Sequence, residues 1–331
     1  MADMKQSSRE RTKKSRGRRG TLLTWWRLLK TVWQEGWGET SGYLFILPGL
    51  ILFLVFQVYP IYRGFWMAFT DYRFMLPDYA PFVGVGNFVE FLTDDRYFWP
   101  SLRRALYFTG LYFPILMGVS LAAATFISKI RNNFWAGFYR SIVYLPVVLP
   151  MAVAIMMWNQ FYQTQSGLIN IILRDWLDLP QLAQRWLVDP KWTIPIVVVA
   201  SMWKHFGYAT MLLLIGIYNI NRELYEAAQL DGAGGWQQWR FVTLPLLKPT
   251  LVLVFVLHSR VFSAAQEFML MYGQGLGPEN SGLTLGYYIW LTAFRWGQLR
   301  MGYAASMSLF LGIISMVLSG LIFRFLRTER A

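Results

Sequence analysis

Residues 221–249 read NRELYEAAQLDGAGGWQQWRFVTLPLLKP, a polar, glycine-broken stretch between two long apolar runs at 193–217 and 250–272. Its first residues read as a short helix. Asn221 is a good N-cap, and Glu223 falls in the first turn, where the helix dipole favours a negative charge. Leu224, Ala227, Ala228 and Asp231 then recur at helical spacing on one face, and the two alanines let another surface approach closely. Gly232, Gly234 and Gly235 stop that helix and allow a sharp turn. A second short helix carrying Trp236, Trp239 and Arg240 follows, before Pro245 and Pro249 lead into the next apolar run. The expectation is a compact knob of two short helices at a right angle, outside the membrane.

Outward from this loop, the chain reads as a membrane protein. Only 15% of its 331 residues are charged, against about 25% in a soluble domain, and 55% are hydrophobic. Six stretches reach the roughly 20 apolar residues a spanning helix needs: 43–69, 105–127, 141–163, 193–217, 250–272 and 302–323. Pro48, Pro60, Pro146, Pro150 and Pro195 open or interrupt them, which membrane helices tolerate when neighbours satisfy the freed backbone groups. With the N-terminus inside, the inner segments carry 19 Lys/Arg and the outer segments 9; the positive-inside bias therefore places both termini and the 218–249 loop in the cytoplasm. The expected division is a basic N-terminal tail over 1–42, a membrane domain over 43–323 and a short C-terminal tail over 324–331. The tail's eight Lys/Arg between Lys5 and Arg19 suit anionic lipid; without interleaved aromatics they do not suggest nucleic acid. Residues 22–38 are expected to form an interfacial helix.

The missing chemistry is as informative. Cysteine is absent and only His205 and His258 occur, which excludes thiol catalysis, Cys-ligated metals and His-rich metal sites. No phosphate loop of the GxxxxGK[ST] type occurs, so uphill transport must draw on a gradient or on a partner. Arg63, Lys204, His205, His258, Arg260 and Glu267 are the ionisable residues within the runs. They either pair between helices or line a polar path. An ion-coupled carrier would more often show buried acids and discontinuous half-helices.

Glu226-Ala227-Ala228, three residues, Gly232, nine residues, Val242, one residue and Leu244-Pro245 resemble the EAA motif of ABC-importer permeases, with Val242 in place of isoleucine. The resemblance extends through Leu47-Pro48 to Phe69-Thr70-Asp71-Tyr72, Gly84 with Asn87-Phe88, Phe91-Leu92 and Asp95. It continues at Arg140 with Leu145-Pro146, at Trp158, at Gly167-Leu168-Ile169-Asn170, and at Gly302-Tyr303-Ala304 with Ser306-Met307. This set is similar to the maltose and glycerol-3-phosphate type of sugar permease, in particular its first permease subunit. Arg104-Ala105 replaces the usual Asn-Thr, and Asn221 the usual proline before the loop.

The resemblance implies an all-α, six-span type I importer permease in a bacterial or archaeal cytoplasmic membrane. It implies four kinds of partner: a second permease subunit, two ABC ATPases, an extracytoplasmic sugar-binding protein and membrane lipid. It implies no catalysis and no cofactor on this chain, ATP and Mg being used by the ATPase. Glu226, Ala227, Ala228, Asp231, Gly232, Leu244 and Pro245 would form the ATPase-coupling loop. Trp203, Tyr208, Phe262, Gln266 and Glu267, on spans four and five, would line the substrate path.

Overall fold

The computed structural model describes residues 46–258 and 264–326. Among these the chain is helical and forms no strand, only the isolated bridges Thr70–Phe82 and Arg73–Leu76. The basic tail, the helix expected within 22–38, Arg260 and Phe262 lie outside the described residues. Residues up to Gly64 and residues from Phe65 onward form two units.

Helix α1, Ile46–Met67, is the first apolar run and is long enough to cross a membrane. Its turn over Leu54–Val58 is widened, Tyr59 N–H donating to the Leu54 carbonyl. Pro60 follows at once. It supplies no N–H, and its ring would crowd the carbonyl four residues back, which a wider turn relieves.

In the second unit, α2 (Gly86–Thr93) precedes α3 (Phe98–Ser128). α3 begins well before the expected edge at 105, because Asp95 Oδ1 accepts from the N–H of Tyr97 at 2.7 Å and of Phe98 at 3.2 Å. An acidic cap, not the first apolar residue, sets the start. Leu102, Ala105, Phe108, Tyr112, Leu116 and Ser120 form its buried stripe at steps of three and four.

The third run is not one straight helix, as the span over 141–163 supposed. α4 (Asn133–Val148) and α5 (Met151–Phe161) meet at 98° across Leu149 and Pro150. Pro146 and Pro150 remove two donors one turn apart, so the ladder cannot continue. The fourth run is α6 (Thr193–Tyr218), within a residue of its expected edges. The loop then gives α7 (Arg222–Leu230) and α8 (Gly235–Leu246), and the fifth run continues as α9 (Lys248–His258), bent 59° from α8, and α10 (Ala265–Met271).

Within the segment 273–300, read as an outer loop, the structure places a buried apolar helix, α11 (Leu285–Phe294). Its ten residues rise about 15 Å at 1.5 Å each, half of a bilayer core, so it packs inside the bundle without crossing. α12 (Met301–Leu326) is the last span. Among the described residues four helices are long and apolar enough to cross a membrane, and the bent α4–α5 pair is apolar enough to count as one more; the other bent pair joins α8 of the 218–249 loop to α9, which opens the fifth run.

α3 and α6 share the most extensive interface; α4 and α5 also pack on α6, α10 on α5, and α11 on α3 and α12. Phe91, Phe98, Phe108, Tyr112, Phe268 and Tyr287 are fully buried among these helices. In lipid such rings gain little from leaving the solvent, so close packing and interhelical hydrogen bonds hold the bundle. Gly207 shows how close: a Cβ there would stand 2.2 Å from the Val143 carbonyl oxygen, so α6 lies against the backbone of α4.

Candidate functional site: the coupling loop and the membrane path

The loop is built by local capping. Asn221 accepts at Oδ1 from Glu223 N–H at 3.1 Å, opening α7. At the other end Gly232 takes φ +81°, its N–H donates to Gln229 O at 3.0 Å, and Ala233 N–H donates to Ala228 O at 2.8 Å. That pair of bonds is a Schellman closure, in which the left-handed position suits glycine above other residues. The spacing from Glu226 to Gly232 therefore has a physical cause: it fixes where the helix stops. Asp231, whose N–H donates to Ala227 O at 3.0 Å, is the last residue before the turn.

Beyond the turn, Gly234 N–H donates to Gln237 Oε1 at 2.7 Å and Gln238 Nε2 donates to Ala233 O at 2.9 Å, starting α8. Two side-chain bonds then tie the knob down. Tyr225 OH meets Thr243 Oγ1 at 2.9 Å, joining α7 to α8, and Trp239 Nε1 donates to Thr125 Oγ1 at 3.1 Å, joining α8 to the end of α3. Leu244 N–H donates back to Trp239 O across a widened turn. Pro245 and Pro249 withdraw donors at the 59° bend into α9, and Leu247 N–H bonds Thr243 O at 3.0 Å within it.

The knob exposes large apolar side chains among charged and polar ones. Leu230 is 90% exposed, and Trp236 and Phe241 are each 71% exposed. Trp236 stacks on Trp239 with ring centres 4.9 Å apart. Glu226 pairs with Arg222 on its own helix at 3.0 Å, an exposed pair contributing at most about 1 kcal/mol. Glu226 and Ala227 are themselves exposed, and Ala228 is half-buried.

Of the residues expected on the path, Phe262 lies outside the described residues, and Trp203 and Tyr208 lie on different sides of α6. Trp203 and Tyr208 are five residues apart on α6, roughly 140° around the axis at 100° per residue. Trp203 packs on Trp158 of α5, centres 5.9 Å apart, whereas Tyr208 is 6.0 Å from the His258 ring of α9. His258 lies 5.9 Å from His205, whose Nδ1 is 3.1 Å from the Tyr112 hydroxyl. Phe108 connects Tyr112 to Phe268 on α10, which also carries exposed Gln266 and half-buried Glu267. Tyr208 and α10 are thus linked through His258, His205, Tyr112 and Phe108; the two histidines were among the ionisable residues expected to pair between helices or line a path, and Tyr112 was not singled out.

At the other end of the helices a polar cluster joins four elements. Asp95 Oδ2 accepts from Tyr288 OH and Tyr303 OH, both at 2.6 Å. Arg300 donates two bonds to the Glu90 carboxylate, at 2.5 and 2.7 Å, and these hold its pKa above the ordinary guanidinium value against the opposing effect of burial, with the Asp71 charge adding. Burial and the Asp95 carboxylate likewise raise the Tyr288 hydroxyl. Buried Asn87 donates at 3.0 Å to both Ala68 O and Thr70 O. Asp95, Asn87 and Tyr303 are residues of the motifs quoted above, and the structure gives them this joining role.

Comparison with known proteins agrees with this architecture. Residues 114–328 match the family described as binding-protein-dependent transport system inner membrane component. A lactose transport system permease protein of Rhizobium radiobacter is 30% identical over 86% of this chain and 93% of its own. A trehalose/maltose transport system permease protein of Thermococcus litoralis is 31% identical over 83% and 90%. In the crystal structure of a bacterial alginate ABC transporter in complex with an alginate pentasaccharide-bound periplasmic protein, one chain superposes with a TM-score of 0.75 at 23% identity, covering 90% of this chain and 97% of that one. The chain belongs to the family of inner membrane components of binding-protein-dependent transport systems.

Proposed function

We propose that this chain is a permease subunit that imports a carbohydrate, driven by ATP hydrolysis on a separate ABC ATPase bound to its 218–249 loop. The observation that carries the reading is the loop itself. A helix closed at both ends, tied by Tyr225–Thr243 and Trp239–Thr125, with Leu230, Trp236 and Phe241 exposed among charged and polar residues, is a stiff element with side chains free to meet a partner. Stiffness is what a lever needs, because a loop that melted would dissipate the motion. Lactose, trehalose/maltose and alginate in the relatives' names support a sugar cargo, and the periplasmic protein in the alginate complex supports an outer binding-protein partner.

On this reading the loop and both termini face the cytoplasm, and a second permease subunit completes the path. Two ATPases use ATP and Mg, and this chain holds no nucleotide. Tyr208, Gln266 and Glu267 contact the cargo near His205 and His258, and Trp203 and Phe262 are the further candidates on the same spans. Broken spans are more typical of ion carriers. Here they coincide with paired prolines, which explains them without ion coupling.

The test is purification of the tagged protein from its host in mild detergent. A second permease and an ATPase should copurify and hydrolyse ATP faster when loaded sugar-binding protein is added. A protein lacking any ATPase, active alone in gradient-loaded liposomes, would instead establish an ion-coupled carrier.

A further inference from the structure

Lys204 sits in the middle of α6, a basic residue inside a membrane span that the function above does not use. Its Nζ donates to the Val147 carbonyl at 2.8 Å, in the last turn of α4 and next to the 98° break. In an unbroken helix the N–H of Met151 would bond that carbonyl; here Met151 has turned away as the first residue of α5. The neighbouring carbonyls are short of donors too, since Pro150 offers Pro146 no N–H and Leu149 N–H reaches Pro146 O only at 3.3 Å. Gly207, one turn along α6, brings the two backbones together, because any Cβ would meet Val143 O at 2.2 Å. That contact sets Lys204 within reach of the broken end. A cation at a helix C-terminus is also favoured by the dipole, more so away from water.

We propose that Lys204 is a positioning residue: its ammonium replaces the hydrogen bond lost at the break and holds α4 and α5 in their bent arrangement. It acts through Val147 and carries no proton or ion. Its bearing on import rests on the function proposed above; the cap itself does not.

The experiment compares Lys204→Met, Lys204→Gln and Lys204→Arg in the assembled complex, by hydrogen exchange and by sugar uptake in proteoliposomes. Met keeps an unbranched chain, one atom shorter, and loses the donor, so exchange over residues 143–152 should quicken at least tenfold while other peptides keep their protection, and uptake should fall about tenfold. Gln is one atom shorter than Lys and keeps a neutral donor, so it remakes the bond only weakly and its exchange should lie between wild type and Met; it reads the cap should the Met variant not assemble. Arg keeps both donor and charge and never deprotonates, so it should retain both wild-type exchange and uptake. Wild-type exchange at the break in the Met or Gln variant would overturn the cap. An Arg variant as inactive as Met would overturn it in favour of proton transfer at Lys204. Failure of uptake by the wild-type complex would count against the import reading alone, since the exchange measurement needs neither sugar nor ATP.

Discussion

At the scale of single residues, the backbone rather than the side chain decides what Gly232 does. Its φ is +81° and a Cβ there would meet nothing within 4 Å. Substitution therefore adds strain without collision, about 1–2 kcal/mol for a left-handed alanine. Gly232→Ala should lower sugar-stimulated ATP hydrolysis severalfold with little loss of folded permease, whereas Gly235→Ala, with ordinary φ and open space, should leave it near wild type. Paired turnover measurements on the purified complex separate these outcomes. Asp95 is the opposite case, a side chain accepting four bonds: two from N–H groups at the start of α3 and two from tyrosine hydroxyls. Hydrogen bonds to a charged group contribute about 1.5–3 kcal/mol each when lost singly. Asp95→Ala should lower the thermal midpoint of the detergent-solubilised protein by several degrees, more than Asp94→Ala at the neighbouring exposed carboxylate.

At the scale of elements, the tie between α7 and α8 can be isolated. Tyr225→Phe and Thr243→Val each remove the same 2.9 Å bond, so the double variant should cost no more than either alone, about 1 kcal/mol, as read by chemical denaturation or by ATPase affinity. Additive losses would mean that the two side chains act separately. This tie also marks where the sequence stops being legible. The ends of α7 could be read from Asn221 and Gly232 because capping acts within one turn. The limits of α6 followed from an apolar run interrupted only near its middle, at Lys204 and His205. The 98° bend did not follow from Pro146 and Pro150, since prolines say that a ladder is interrupted but not what lies across the gap. That depends on Gly207 and Lys204, some sixty residues later. α11 was missed for a related reason: ten apolar residues are too few to register as a span, and their burial depends on α3 and α12. Of the expected path, the periodicity of α6 shows that Trp203 and Tyr208 diverge, but only the fold links Tyr208 to His258 and His205.

At the scale of the whole molecule, coupling to a cytoplasmic ATPase requires a fixed orientation, and the chain's lack of cysteine makes that easy to test. A single cysteine at exposed Gln229 should react with an impermeant maleimide only when the cytoplasmic side is open, and one at exposed Gln298 only from the outer side. The reverse pattern would invert the topology and remove the loop from any cytoplasmic partner. The central claim is that the 218–249 loop transmits work between an ATPase and the membrane path. Its most direct test is ATP hydrolysis by the reconstituted complex with and without sugar-loaded binding protein, using wild type and Gly232→Pro. Proline cannot adopt φ +81° and has no N–H to give Gln229, so it removes the closure of α7. Such coupling predicts strong stimulation for wild type and none for the variant, with the membrane helices still folded. Equal stimulation in both would contradict it.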